Sequence, residues 1–422
     1  MSIKALLSAC LRMVVLSMAI AYWPSFAVFP TQAADPVPGT QFSISAEELP
    51  QPYASPSASN SPRLVRRPSN QKPDVPNGFE VTLFAENLGH PRNLIVAANG
   101  DVLLAESRPG RITLLRDSDG DGRADLIDTF VAGFRLPHGL ALAEGVLYIA
   151  DARAIWRLPY HPGDESARGR ATRITAKGAF GDPGGHWTRN LAIHPLDGRL
   201  FVSIGSEGNL AEEPLPRASI QVFDPDGSRQ RTYASGLRNP VGIAFHPNSG
   251  ALYTVVNERD GLGDELVPDY LTVVEEGAFY GWPYAYSGNH PQPGFADLRP
   301  DLVAAARLPD LLFRSHSAPI GLTFYDGASF PQDYHGDAFV ALRGSWNADL
   351  PRGYFVARVP FRNGRPLGGY EVFMSGFRLD DKPTGRAEVW GRPTGVAVTP
   401  GGGLLVSDDS GGTLWLVRWR GE

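Results

Sequence analysis

Six stretches of the chain set His, Arg or Asn just ahead of a short apolar run. His90 and Arg92 precede Leu94, Arg135 and His138 precede Leu140, and His186 precedes Leu191. Arg238 and Asn239 precede Ile243, His316 precedes Leu322, and Arg392 precedes Val396. Histidine titrates near neutrality and can take a proton from an alcohol or a hydrated aldehyde. Arginine stays charged and grips carboxylates through two parallel N–H donors. If these positions converge, they form a pocket for an anionic, oxygen-rich ligand. Each also has a plainer role. Arg238 and Asn239 could cap a loop, Arg392 could pair with Glu388, and His138 could merely support its neighbours. His194 and His246 each precede a proline at equivalent places and read as structural.

Two acidic stretches suit a hard cation. Asp117, Asp119 and Asp121 take the first, third and fifth positions of a calcium loop, with Gly122 at the sixth. Arg123 and Asp125 follow within the same loop, and Asp128 stands where such a loop carries a bidentate Glu. The shorter carboxylate reaches less far, and a tight acidic turn is the simpler reading. The loop joins strands, so an ion there is structural. Asn257-Glu258-Arg259-Asp260-Gly261 opens a second acidic stretch beside Arg238, where carboxylates and loop carbonyls suit calcium. A solvated acidic loop is the alternative.

The elements that would position these groups recur. The clearest unit has Gly236-Leu237-Arg238-Asn239-Pro240 leading into Val241-Gly242-Ile243-Ala244-Phe245. It turns at Gly250 and returns as Leu252-Tyr253-Thr254-Val255-Val256. This is a polar loop, a strand, a tight turn and a second strand. The apolar runs begin at Leu94, Leu140, Leu191, Ile243, Leu322 and Val396, in steps of 46, 51, 52, 79 and 74 residues. Short strands repeated at this spacing indicate an all-β, six-bladed β-propeller over residues 78–422. The strand-like Gly78–Phe84 can close the ring, and the two long steps place insertions near 257–315 and 360–392, as loops on one face.

Composition narrows the rest. The 422 residues include 47 Gly, 37 Pro and a formal net charge of -6, which argues against nucleic acid as a partner. An apolar stretch after Lys4, with small residues near Ala33, reads as a signal peptide over residues 1–34, so export to the periplasm is expected. An uncleaved anchor is the alternative. Residues 35–77 read as a Pro/Ser-rich flexible arm. Cys10 is the single cysteine and would leave with the signal, which excludes thiol catalysis and iron–sulfur ligation. No later stretch is long and apolar enough to span a membrane. No GxGxxG joins a strand to a helix, so a Rossmann nucleotide site is not expected.

From residue 78 onward the chain resembles the soluble quinoprotein glucose/sorbosone dehydrogenase family, nearest its sorbosone dehydrogenase-like branch. The phrases that carry this are Gly236-Leu237-Arg238-Asn239-Pro240, Asn257-Glu258-Arg259-Asp260 with Gly263-Asp264-Glu265-Leu266, and Phe279-Tyr280-Gly281-Trp282-Pro283. The resemblance implies a six-bladed propeller carrying pyrroloquinoline quinone (PQQ) and calcium. It implies that His186 is the catalytic base and that Arg238 and Asn239 flank the quinone carbonyls. It further implies that Glu258, Asp260 and Gly261 belong to the loop serving calcium, and that Arg392 meets the cofactor's carboxylates. His138, His316 and Arg92 complete the expected cofactor-binding set. Where the family has a small turn after its His, this chain has Trp187-Thr188-Arg189, which narrows that side. The substrate expected is a sugar, a sugar alcohol or an aldosulose such as sorbosone. No haem attachment sequence is present, so a separate electron acceptor is expected. The competing readings are a calcium-dependent, lactonase-like propeller hydrolase and a non-catalytic binding propeller. The first wants a carboxylate and amide ring, and the second has no use for converging His and Arg.

Overall fold

Short apolar runs separated by Gly, Asp and Asn turns form six antiparallel sheets in the computed structural model, which describes residues 35–379 and 386–421. The expected signal segment, 1–34, lies outside the described residues. The innermost strands are Pro91–Val96, Gly139–Ala143, Leu191–Ile193, Asn239–Phe245, Pro319–Phe324 and Pro393–Val398. Each begins at or shortly after one of the expected polar positions, and adjacent inner strands touch around the ring. The sheets make a six-bladed propeller, as the repeat spacing predicts.

The second strand of each blade is buried along nearly its whole length, for example Val102–Glu106, Ala338–Leu342 and Leu404–Asp408. Both faces of a blade pack on neighbouring blades, so these strands read as continuous apolar runs rather than alternating ones. The ring closes through the chain's early strand. Phe79–Ala85 is the outer strand of the last blade and pairs antiparallel with Thr413–Trp419. The other outer strands escaped the sequence pattern. Leu126–Ala132 is mostly solvent-facing, and Thr172–Arg173 and Leu311–Leu312 have two residues each. The insertion after Val273 holds the small hairpin of Ala285–Tyr286 with His290–Pro291, and the helix Pro300–Ala305.

Close approach of the inner strands explains a recurring Pro-x-Gly. At Gly395 a Cβ would lie 2.3 Å from the Arg92 carbonyl oxygen, and at Gly321 2.5 Å from that of Thr394. The first and third blades carry Asn93 and Asn190 instead, and these hydrogen-bond to each other at 2.9 Å. Residues 35–77 lie along the propeller. Gln41–Phe42 adds a strand to the fifth blade by pairing with Tyr370 and Glu371, and Arg63–Leu64 pairs in parallel with Glu388–Val389.

Candidate active site

The polar positions ahead of the inner strands meet in a cavity of about 350 Å³ at one mouth of the channel. Arg92, His186, Arg238, Asn239, His316 and Arg392 all line it, from five different blades. Glu258 and Asp260 enter from the loop after Leu252–Asn257. Gly261 is exposed and does not line the cavity, and neither does His138. The His138 ring instead stands edge-on to Trp187, with centroids 6.1 Å apart.

His186 is held from three sides. Gly185, at φ +63°, presses its backbone on Glu207, where a Cβ would meet the carbonyl oxygen at 2.1 Å. The buried Arg189 donates to the His186 carbonyl at 2.6 Å. The ring's Nδ1–H donates to the Ser206 carbonyl at 2.8 Å, which leaves the lone pair on Nε2. Burial, then the positive charge of Arg238, pull its pKa down to about 3. The ring is therefore neutral and proton-accepting across the physiological range. Gly205 lies beneath it: a Cβ there would sit 2.4 Å from Asn239 Oδ1 and 2.7 Å from His186 Cβ.

Positive charge dominates the opposite walls. Arg238 is buried and donates to the carbonyls of Asn209 and Glu258, at 3.1 and 2.8 Å, and to Asn209 Oδ1 at 2.9 Å. Arg92 and Arg343 share Asp409 Oδ2, at 2.6 and 2.8 Å. Among the described residues the Arg392 guanidinium donates to the carbonyls of Arg343 and Gly344 and to no carboxylate. Burial lowers Arg92 and Arg392 to about 10. Arg343 and Arg92 together hold the buried Asp409 carboxyl far below its usual range, against the burial that would raise it. Buried charge is unfavourable without partners, and on this wall three guanidiniums, Arg92, Arg343 and Arg392, face the single carboxylate of Asp409. Asn239 Oδ1, Glu258 Oε1, His316 Nε2 and Arg92 Nε are buried with no hydrogen-bond partner among the described residues. His316 has a left-handed backbone, φ +67°, and its Nδ1 lies 3.0 Å from Asn347 Nδ2 and 3.4 Å from Asp260 Oδ1. Polar atoms left bare in this way mark a ligand's place.

A family profile described as TrAA12-like matches residues 73–287 and 302–420. The chain belongs to the TrAA12-like family. The PQQ-dependent pyranose dehydrogenase of Coprinopsis cinerea is 26% identical over 410 residues, covering 82% of this chain and 54% of that enzyme. The TrAA12-like chain thus spans about half that enzyme's length. A protein of Borreliella burgdorferi, described as uncharacterized, is 27% identical over 360 residues, covering 82% of this chain and 90% of that one. Among solved structures, the holo form of the PQQ domain of the Coprinopsis cinerea pyranose dehydrogenase has a TM-score of 0.70 at 21% identity. It covers 85% of this chain and 99% of that chain. The calcium structure of the Trichoderma reesei AA12 enzyme has a TM-score of 0.69 at 19% identity, covering 84% and 98%. At these identities the structural likeness establishes the fold.

The TrAA12-like cavity also holds residues the sequence reading missed: Arg343, Trp346, Asn347 and Asp269, with Asp409 behind them. A signal was available. The end of each second strand pairs with the start of the inner strand, as in Pro319 with Leu342 and Pro393 with Asp408. The residues just past a second strand, such as Arg343 and Asp409, therefore reach the same mouth. Asp269 is fully buried, accepts from the amides of Glu258 and Ala318, and burial raises it to about 7. Trp187, whose indole lies 5.3 Å from the Arg92 guanidinium carbon, forms the wall that the sequence expected to be narrow.

The acidic loop of this TrAA12-like chain lies on the rim of the first blade, between the strands Arg111–Arg116 and Leu126–Ala132. Asp117, Asp119 and Asp125 bring one oxygen each within 4.8 Å of the others. Asp121 and Asp128 stay outside this group; they accept from the amides of Arg123 and Thr129. Arg123 is exposed. Among the described residues no helix is long and apolar enough to cross a membrane.

Proposed function

We propose that the chain is a PQQ- and calcium-dependent dehydrogenase, exported to the periplasm, that oxidises a sugar, a sugar alcohol or a sorbosone-like aldosulose. One observation carries the reading: His186, Arg238, Asn239 and Arg392, distant in sequence, line one cavity. Membership in the TrAA12-like family supports oxidoreductase chemistry, and the named activity of the Coprinopsis relative supports the quinone and the sugar.

The donor set fits the cofactor. The three guanidiniums of Arg92, Arg343 and Arg392 around one carboxylate suit a planar polycarboxylate, and the bare atoms of Asn239, Glu258 and His316 offer it hydrogen bonds. When bound, the quinone supplies a two-electron acceptor and an adjacent calcium ion polarises it. Arg92, Arg343 and Arg392 would hold its carboxylates. Arg238 and Asn239 sit where negative charge develops and stabilise it without reorganising. His186 Nε2, free of the proton that Nδ1 spends on Ser206, takes the substrate hydroxyl proton as hydride departs. Glu258 and Asp260, which line the cavity beside the exposed Gly261, would supply oxygens for an ion there, and the Asp117, Asp119 and Asp125 loop would hold a second, structural one. Electrons leave to a separate acceptor.

Purified protein supplied with PQQ and calcium should reduce a dye in the presence of an aldose or polyol. No dye reduction with any of a broad aldose, polyol and aldosulose panel, at saturating quinone, sinks the proposal.

A further inference from the structure

The stretch from Tyr53 to Leu64 runs beside the cavity without lining it and ties down three of the loops around it in turn. The Tyr53 amide donates to the Leu262 carbonyl at 2.6 Å. Ser55 Oγ accepts from the Asp264 amide at 2.9 Å, and Ser57 Oγ from that of Gly263 at 3.2 Å. Gly263, at φ +128°, brings this loop so close that a Cβ would meet the Ser55 carbonyl at 3.0 Å. The Asn60 amide donates to the Trp346 carbonyl at 2.8 Å, and its Nδ2 to that of Asp349 at 2.9 Å. Arg63 and Leu64 then pair with Glu388 and Val389.

Each of these loops carries or leads into cavity groups. The first continues from Asp260, the second bears Trp346 and Asn347, and the third leads to Arg392. The first two are also clasped directly. The Asp349 amide donates to Asp264 Oδ1 at 2.7 Å, and Arg352 binds the carboxylates of Asp264 and Glu265. Asn347 in turn hydrogen-bonds Asp260. Trp346, half exposed at 51%, stands at the edge where the strap meets the cavity. A surface segment that only covered apolar area would not aim successive donors and acceptors at three mouth loops.

We infer that residues 53–64 are a positioning strap that fixes the cavity mouth and thereby sets affinity for a polyhydroxylated substrate. Ser55, Ser57 and Asn60 are its positioning residues and touch no reacting atom. The substrate class rests on the dehydrogenase reading; the ordering of the loops does not.

The test is the triple variant S55A/S57A/N60A, which removes the three side-chain hydrogen bonds described above and leaves the backbone ones in place. Hydrogen exchange of residues 258–266 and 344–350 should accelerate at least about tenfold, because local opening loses its side-chain partners. In the loaded enzyme, KM should rise about fivefold to tenfold with kcat within about twofold, the mark of lost ground-state binding. The S55T/S57T variant keeps both hydroxyl acceptors and should behave like the parent. Unchanged exchange in the triple variant, or kcat falling as far as kcat/KM, overturns the strap. If the parent oxidises no sugar, the exchange result still decides the strap, while the dehydrogenase reading fails on its own.

Discussion

The channel-mouth cavity and the acidic loop of the first blade both read in sequence as ligand sites, and they are built in opposite ways. In the loop each clustered carboxylate is already engaged by a nearby backbone amide. Asp117 accepts from Gly120 and Gly122, Asp119 from Asp121, and Asp125 from Ser118. In the cavity, groups from five blades converge and several are left bare, Asn239 Oδ1 and His316 Nε2 among them. A local loop shapes itself with its own backbone. A distributed site is shaped by the ring, which holds polar atoms in place although they do not satisfy one another. Perturbing the loop should therefore cost stability, and perturbing the cavity should cost chemistry.

The sharpest break is H186A. Loss of the base should lower kcat by about 10²–10⁴-fold and leave the PQQ dissociation constant within about threefold. Comparable loss of both would make His186 a ligand-holding group instead. The pH profile sharpens the point. With His186 held down to about 3, its base form is available throughout the range from pH 8 to 5, and no acid limb in kcat near pH 6.5 is expected from this ring. Its stability contribution has a definite sign. The unfolded ring takes up a proton near 6.5 and the folded ring only near 3, so stability is lost as pH falls across that window. H186N should flatten the decline, as read by denaturant unfolding at pH 4 and pH 7.

The blade count was legible because each inner and second strand is a short apolar run bounded by turns. Pro240-Val241-Gly242-Ile243 and Pro319-Ile320-Gly321-Leu322 carry the glycine that close strand approach requires. Most outer strands were not legible: Leu126–Ala132 is largely solvated and has no apolar face to betray it. At the site, His186, Arg238, Asn239 and Arg392 could be found because they precede recognisable runs. Arg343 and Asp409 precede no such run; they lie just past second strands, and only the pairing of each second strand with its inner strand says that they reach the same mouth. Their convergence is a property of antiparallel register. The Pro/Ser-rich stretch of 35–77 shows the limit of composition. Its contacts are backbone and hydroxyl hydrogen bonds to distant loops, which leave no periodic mark.

Two further variants test whether the cavity is as pre-shaped as this contrast requires. G205A puts a methyl group against Asn239 Oδ1 and His186 Cβ. Overpacking costs about 1–3 kcal/mol, and the displaced base should lower kcat about tenfold to a hundredfold. A catalytically normal G205A would show that His186 and Asn239 move freely. R392A removes a cation that hydrogen-bonds to two carbonyls and lies over the Tyr354 ring, with no carboxylate hydrogen-bonded to it among the described residues. The dissociation constant for PQQ, followed by fluorescence quenching, should rise about tenfold or more, with kcat at saturating quinone within a few-fold. An unchanged constant would remove Arg392 from the cofactor's carboxylates.

The smallest effect is expected at the loop, and its size matters less than its kind. D119N/D125N withdraws two of three clustered charges while keeping side chains that can still accept from the Asp121 and Ser118 amides. In calcium buffer the midpoint of thermal unfolding should fall by about 2–6 °C, and kcat per folded molecule should not change. Adding a chelator should lower the parent's midpoint toward that of the variant and leave the variant's nearly still, the outcome that the proposed structural ion at the rim requires. Chelation should also weaken quinone binding in both proteins alike, since the ion near Asp260 is untouched by the substitutions. If the variant instead lost turnover at an unchanged midpoint, the two regions would have exchanged roles. The acidic loop would then have to reach the chemistry across its own blade, from the connection between the paired strands Arg111–Arg116 and Leu126–Ala132.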